Sequence, residues 1–196
     1  MAEPLSPLGD AWRPGSHGNF RDGTGVTLTE TRPGSIVQVT AWPDTDDAVR
    51  AAIRDSVTLD LPAMPGSGVA GEALSGFGIG PGRYLLAGST EGLETKLRAA
   101  IAPETGAVTD LSHGRAAFRI QGESAEWVLS KLFALDFAEA AFPLGHGRAT
   151  QHHHDITALI QRTAPDGFDL YFFRSFARSF WHALCRACED VGYEVR

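Results

Sequence analysis

The sequence predicts an α+β protein built of two halves, each with short helices over one face of an antiparallel sheet. Three observations support this fold class. Segments with β-branched or alternating apolar residues are followed by segments with apolar residues at helical spacing, and this rhythm occurs twice. Glycine and proline separate these segments. A chain of 196 residues is also long enough to bury one substantial core or two smaller ones.

The N-terminal segment is predicted to differ from the rest of the chain. Residues 1–30 are rich in glycine, proline and serine and contain only isolated aromatic residues. Such a segment cannot build a core alone, so we expect an extended or mobile arm. The remaining residues, 31–196, form the predicted domain, with halves at about 31–105 and 106–196.

The first half is predicted to contain two strands and two helices. Asp44 and Asp46 flank Thr45 as polar helix-start residues, and the glycines between the helices break all periodicity. The predicted order is a strand at 35–41, a helix that buries Val49, Ile53 and Val57, a loop at 61–82, a strand at 84–87 and a helix that buries Leu93, Leu97, Ala100 and Ile101.

The second half repeats this rhythm. Along 115–120 the residues alternate, which places Phe118 and Ile120 on one face of a strand and the arginines Arg115 and Arg119 on the other. Then follow a helix with Ala125, Val128, Leu129 and Leu132, a hairpin of 156–162 and 168–173, a helix with Phe176, Phe180, Leu184, Cys188 and Val191, and an edge strand at 193–195. Two such halves give a two-layer, ferredoxin-like architecture.

Composition excludes several classes of protein. The net charge is −7 and no run of Lys or Arg could neutralise adjacent phosphates, which argues against nucleic-acid binding. The apolar runs are far shorter than a membrane span needs, and the first residues do not resemble a signal peptide. Cys185 and Cys188 cannot form a disulfide framework. We therefore expect a cytoplasmic protein that does not enter a membrane.

Three motifs with possible ligand-binding roles favour a structural interpretation. The glycine-rich stretch 76–82 would place the third glycine of a dinucleotide fingerprint at Pro81, so a loop is expected. Cys185 and Cys188 have zinc-knuckle spacing but no second cysteine pair, which favours buried structural thiols. The adjacent His152, His153 and His154 cannot all converge on one metal, and a solvated or interface strand is favoured over a metal site.

No catalytic, cofactor-binding or metal-binding residue is predicted. Asp110, Ser112 and His113 form an Asp-Leu-Ser-His sequence, in which the short polar side chains are expected to fix a turn and not to perform acid–base chemistry. No nucleophile elbow, carboxylate pair or Cys–His dyad is recognisable.

The most unusual segment is 168–181, which contains seven aromatic residues interleaved with Arg174 and Arg178. One strand and one helix cannot easily bury seven rings, so some are expected to face a partner, while Tyr171, Phe176 and Phe180 are expected in the core. Arg174 and Arg178 are four residues apart on one face of the predicted helix. With Trp181 behind them they are the predicted subunit interface, because arginine among aromatics is typical of interfaces. A solvated helix start is the alternative.

Three segments together resemble the gamma subunit of heterotetrameric sarcosine oxidase. They are 108–114 with its Asp-x-Ser-His turn, 118–122 with Arg-x-x-Gly, and 168–181 with Leu-Tyr-x-x-Arg-Ser-x-Ala-x-Ser-x-Trp. The resemblance covers roughly residues 30–190. Residues 108–181 are also similar to the folate-binding aminomethyltransferase superfamily of the glycine-cleavage T-protein, which implies that fold in a shortened form.

The chain departs from the catalytic transferases at one hairpin. Where those enzymes carry Gly-Gly-Ile-x-Asp-Asp, the corresponding stretch 145–158 is shorter and lacks both the glycine pair and the aspartate pair. Asp155 therefore cannot be assigned the role of the family's acidic residue. We expect the folate chemistry to be absent from this chain.

The resemblance implies a structural subunit that is inactive alone and binds no cofactor. The holoenzyme would demethylate sarcosine to glycine with oxygen, giving hydrogen peroxide and formaldehyde or methylenetetrahydrofolate. Its alpha, beta and delta subunits would be the partners and would hold FAD, FMN, NAD, tetrahydrofolate and zinc. Two alternatives remain: a stand-alone folate-dependent aminomethyltransferase-like protein, and a gamma-type subunit of a related N-methyl amine demethylase.

Overall fold

The computed structural model describes residues 6–19, 23–151 and 156–196, and within them the chain is α+β with few helices. The helices are α1 (Asp46–Val57), α2 (Leu93–Ala100), α3 (Ala125–Ser130) and α4 (Ala177–Cys188), with 3-10 turns at Gly9–Ala11 and Arg174–Phe176. The strands are β1 (Gly15–His17), β2 (Val26–Thr31), β3 (Ser35–Ala41), β4 (Ser67–Ala70), β5 (Leu74–Gly80), β6 (Arg83–Gly88), β7 (Gly106–Asp110), β8 (Arg115–Gln121), β9 (His146–Gln151), β10 (Thr157–Ala164), β11 (Gly167–Phe173) and β12 (Tyr193–Val195). None of the described helices is long and apolar enough to cross a bilayer.

The chain divides into two compact units. The mid-chain unit comprises 33–112 and 145–149, and the terminal unit comprises 1–32, 113–144 and 150–196. Each unit has its own apolar core beneath its own pair of helices.

In the mid-chain unit the strands are paired in the order β9-β4-β5-β6-β3-β7, and every pairing is antiparallel. Helices α1 and α2 bury one apolar stripe each, because Val49 and Ile53, and Leu93 and Leu97, recur at intervals of four residues. They pack with the strand residues of this unit's core. The predicted strand at 35–41 and both predicted helices are confirmed, but Ala100 is exposed and Ile101 follows the last residue of α2.

In the terminal unit the order is β1-β12-β2-β8-β11-β10. Strand β12 pairs with β2 in parallel, and the other four pairings in this order are antiparallel. Helices α3 and α4 cover one face, and the fully buried Phe118 and Ile120 belong to this core. The predicted alternation of β8 and the predicted hairpin of β10 and β11 are thus confirmed.

The segment predicted as an N-terminal arm contributes strands where it is described. Strands β1 and β2 both lie within it, and Leu8, Val26 and Leu28 are almost completely buried in the terminal core. The predicted edge strand at 193–195 exists, but it is not an edge, because β1 pairs with it on one side and β2 on the other.

The stretch 61–82 was predicted as a loop, and this prediction is wrong, because β4 lies within it and the glycine-rich residues up to Gly80 belong to β5. A Cβ atom on Gly76 would lie 2.7 Å from Leu59 Cδ2 and would also overlap Leu61, so the absence of a side chain allows both leucines to pack directly on the strand. Among the glycines of 76–82, only Gly82 has a positive φ, +60°, and forms a turn.

Candidate functional site

The candidate interface residues lie where β11 leads into α4. Arg174 is half-buried in the 3-10 turn Arg174–Phe176, and its backbone N–H donates to Gly114 O at 3.0 Å. Arg178 lies in the first turn of α4, is exposed, and its Nε donates to Pro7 O at 3.3 Å. The two arginines therefore do not share one α-helical face as predicted, since the α-helix begins only at Ala177.

Trp181 is a core residue. Its exposed fraction is 2%, and its ring centroid lies 4.9 Å from that of Phe118 and 5.2 Å from that of Trp12, whose ring is tilted by 37°. The indole Nε1 donates to Ala11 O at 3.1 Å. Any contribution of Trp181 to an interface must therefore be indirect, through the N-terminal segment that covers it.

The aromatic residues of this segment divide into buried and exposed groups. Tyr171 and Phe180 are buried as predicted, but Phe176 is 42% exposed and the prediction that it is a core residue is wrong. It precedes the first residue of α4 and so falls outside the buried stripe of that helix. Phe173, the last residue of β11, is also exposed, at 43%.

Arg115 lies directly opposite Phe173 in the ladder between β8 and β11. Its guanidinium carbon is 3.7 Å from the centroid of the Phe173 ring, and the residue is only 9% exposed. Burial lowers the pKa of Arg115 from its usual value, because the charged form loses hydration. We refer to Arg115, Phe173, Arg174 and Phe176 as the arginine–aromatic junction.

A second arginine on the same face of β8 has a different environment. Arg119 is opposite Asp169 and forms a two-pronged ion pair with it, Nε to Oδ1 at 2.6 Å and a terminal nitrogen to Oδ2 at 2.8 Å. The hydrogen bond to Asp169 raises the pKa of Arg119. This ion pair joins two strands of the sheet. Arg115 has no such carboxylate partner among the described residues.

A third arginine is structural. Arg162 on β10 is 1% exposed, forms an ion pair with Glu126 at the start of α3, and donates to Phe137 O at 3.1 Å. Its guanidinium carbon lies 4.8 Å from the centroid of the Phe168 ring. Sequence reasoning missed this residue, because the apolar residues around it predict only a buried strand.

The Asp-Leu-Ser-His sequence forms a turn, as predicted. Asp110 Oδ1 accepts hydrogen bonds from the backbone N–H of Ser112 at 2.9 Å and from its hydroxyl at 2.6 Å. Ser112 Oγ in turn accepts from the Ile36 N–H at 3.0 Å. These polar groups are therefore used in fixing the end of β7 beside β3.

The two cysteines pack in the terminal core. Cys188 is fully buried, as predicted, whereas Cys185 is only partly buried. Burial raises the pKa of Cys185 to about 11 and also raises the pKa of Cys188. In the described part of the chain no three potential ligands are grouped for a metal. His152, His153, His154 and Asp155 lie outside the described residues.

Comparison with known proteins agrees with these features. The model of the GCVT N-terminal domain family matches residues 79–195. No curated protein matches the sequence. A chain of the heterotetrameric sarcosine oxidase from Corynebacterium sp. U-96, solved in complex with pyrrole 2-carboxylate, is 26% identical, with a TM-score of 0.79 over 95% of each chain.

A second solved structure shares the fold alone. The glycine cleavage system aminomethyltransferase T from Bartonella henselae is 18% identical, with a TM-score of 0.60 over 88% of this chain and 48% of that one. The chain thus spans about half the length of that enzyme. The resemblance to sarcosine oxidase and to aminomethyltransferases is confirmed. Because the family model matches more than half of its residues, the chain belongs to the GCVT N-terminal domain family.

Proposed function

We propose that the chain is the gamma-type structural subunit of a heterotetrameric sarcosine oxidase or of a closely related N-methyl amine demethylase. The observation that carries this proposal is the similarity to a chain of such an oxidase along 95% of both lengths. The likeness to the aminomethyltransferase extends over only 48% of that enzyme. The correspondence is therefore better with an oxidase subunit than with the transferase.

The arginine–aromatic junction supports a role in assembly. Phe173 and Phe176 expose large apolar rings, and the guanidinium group of Arg115 lies over the ring of Phe173. Aromatic residues and arginine are enriched at the centres of protein interfaces, where the rings exclude water and the guanidinium group forms directional hydrogen bonds. A surface of this composition suits contact with another subunit.

The reaction belongs, in this proposal, to the assembled enzyme. Alpha, beta and delta subunits would complete it and hold FAD, FMN, NAD, tetrahydrofolate and zinc. The holoenzyme would convert sarcosine to glycine with hydrogen peroxide and either formaldehyde or methylenetetrahydrofolate. The free thiols of Cys185 and Cys188 suit a reducing compartment, so we place the complex in the cytoplasm.

We also interpret the two units as ferredoxin-like halves. The support is that each contains the order β-α-β-β-α-β, as β3-α1-β5-β6-α2-β7 and as β8-α3-β10-β11-α4-β12, once the additional strands β4 and β9 that follow α1 and α3 are set aside. The corresponding strand orders are β5-β6-β3-β7 and β10-β11-β8-β2-β12, so the second differs by the insertion of β2.

Co-expression with the alpha, beta and delta subunits of a sarcosine oxidase encoded in the same genome tests the function. A tag on this chain should co-purify flavin-bearing subunits and sarcosine-dependent peroxide formation, whereas the chain alone should be colourless and inactive. Arg174→Ala/Arg178→Ala should leave the isolated chain folded by circular dichroism and weaken co-purification. An unfolded double variant would mean that these arginines serve the chain's own structure.

Family membership favours one other candidate, a folate-dependent aminomethyltransferase-like protein. Calorimetry with tetrahydrofolate distinguishes the two. Micromolar binding by the isolated chain would contradict the structural-subunit proposal and support the alternative.

A further inference from the structure

We propose that Arg115, held over the ring of Phe173, is the docking point for an aspartate or glutamate side chain of the partner subunit. This inference rests on the proposed function and deepens it, because it names the residue and the chemistry through which the subunit is joined. It also moves the centre of the predicted interface from α4 to the end of the ladder between β8 and β11.

Three arginines on strands β8 and β10 differ in their partners. Arg119 has Asp169, and the nearly inaccessible Arg162 has Glu126. Arg115 is 9% exposed, yet within the described ranges no carboxylate lies within ion-pair distance of it and no hydrogen bond of its side chain is found. The described contact of its guanidinium group is with the ring of Phe173.

Burial of Arg115 has an energetic cost. A guanidinium group stays charged in proteins, and one that is mostly buried without a protein acceptor loses part of its hydration. The ring of Phe173 attracts the cation but accepts no strong hydrogen bond. A carboxylate placed at the open edge of the guanidinium would accept two parallel hydrogen bonds and restore the lost interactions. Arg115 is therefore preorganised for such a group.

The exposed ring of Phe173 indicates the side from which a partner would approach Arg115. Phe173 is 43% exposed, so the ring that supports Arg115 is open to solvent on part of its surface. The backbone bond from Arg174 to Gly114 O fixes the two chain segments that carry the cations beside each other. The guanidinium of Arg115 beside the partly exposed ring of Phe173 is a local positive charge on a chain of net charge −7. Charge complementarity thus selects an acidic side chain flanked by apolar residues.

Arg178 differs from Arg115. Its side chain is exposed and donates to Pro7 O, so its interaction is with its own chain. Losing an exposed arginine on α4 should cost an interface little unless it reaches the partner. Arg186, exposed in the last turn of α4, provides a matched control that removes the same charge from the same unit.

The experiment uses Arg115→Gln, which keeps most of the side-chain volume and removes the charge. The wild-type chain and the variant are titrated onto an immobilised complex of the co-expressed alpha, beta and delta subunits. We expect the Kd to rise at least about thirtyfold for Arg115→Gln, because one partner of a desolvated pair is removed. Arg115→Lys, which keeps the charge but loses the fork, should fall between the two. Arg186→Gln should bind like the wild type.

Thermal unfolding of the isolated chain gives the second readout. Because the unpaired charge is unfavourable in the free subunit, Arg115→Gln should have an unchanged or higher Tm. A lower Tm, with weakened binding in proportion, would mean that Arg115 is structural and would overturn the inference. A lower Tm of similar size in Asp155→Asn would identify an internal partner and overturn it as well.

The binding data separate this inference from the proposed function. If the wild-type chain binds none of the oxidase subunits, the proposed function fails. If the wild type binds and Arg115→Gln binds equally well, the proposed function stands and the docking role of Arg115 is wrong.

Discussion

Removal of the carboxylate of Glu126 should destabilise the protein far more than its position on the surface would indicate. Glu126 is 43% exposed at the side chain, but the arginine with which it forms an ion pair, Arg162, is 1% exposed. In Glu126→Ala the guanidinium remains buried with the carbonyl oxygen of Phe137 as its remaining described acceptor. A charge buried without its counterion is among the few causes of large mutational effects.

The expected magnitude follows from the environment of the two side chains. Breaking a fully buried pair typically costs about 3–5 kcal/mol. Here the partial exposure of Glu126 allows water to reach the pair, and the Phe137 carbonyl continues to accept, so we expect about 2 kcal/mol. For a domain of this size that corresponds to a fall in Tm of about 4–8 °C.

Urea unfolding followed by circular dichroism measures this effect, with Glu139→Ala as the control. Glu139 is exposed and has no described ion-pair partner, so its removal should change the free energy of unfolding by less than about 0.5 kcal/mol. In an Arg162→Met background, Glu126→Ala should cost almost nothing, since no charge is left unpaired. Equal losses in Glu126→Ala and Glu139→Ala would refute the reasoning.

Three further outcomes are expected. Gly76→Ala should destabilise by about 1–3 kcal/mol because its Cβ would overlap a leucine side chain, whereas Gly34→Ala, with no atom nearer than 3.5 Å, should be almost neutral in the same urea assay. Cys185, whose pKa is raised to about 11, should resist iodoacetamide at pH 7.5 in the native protein and react in urea, as counted by mass spectrometry. The hydrogen bond from Lys131 lowers the pKa of Asp190 below its ordinary value of 3.8. The contribution of Asp190 to the free energy of unfolding is therefore present above pH 3.8 and is lost as the pH falls through the folded-state pKa. Asp190→Asn should accordingly show a shallower loss of stability below about pH 4.

The local sequence pattern predicted a strand correctly where apolar side chains mark its buried face. Strand β3 was predicted at its observed bounds, because its valine and isoleucine residues are β-branched and buried. The same reasoning failed at β5, where glycines have no side chain to show which face is buried. The strand prediction also failed at β2, because the threonines beside Val26 and Leu28 leave only two apolar residues in the segment.

The candidate site was less predictable, because its key contact joins residues that are distant in sequence. Arg174 and Arg178 were found from local composition alone, although the start of α4 at Ala177 separates them. The pairing of Arg115 with Phe173 depends on the register of β8 against β11, which no local pattern encodes. The same is true of Arg162, whose counterion comes from a helix.

The register that joins β8 to β11 also provides a decisive substitution. It places Asp169 opposite Arg119 and, four residues along each strand, Phe173 opposite Arg115. Phe173→Asp would copy the first pair at the second position and give Arg115 an internal counterion, which is worth about 0.2–1 kcal/mol for a cross-strand pair. It would also occupy the hydrogen-bonding edge that the partner's carboxylate needs.

We therefore expect Phe173→Asp to bind the other subunits more weakly than Phe173→Asn, which removes the same ring without adding a charge. The isolated Asp variant should have the higher Tm of the two, because only a carboxylate neutralises the buried guanidinium. Both comparisons use the titration and the thermal unfolding already described for Arg115→Gln. If the Asp variant binds as well as the Asn variant, the edge of Arg115 is not the place where an acidic side chain docks, and the exposed rings alone must account for the interface.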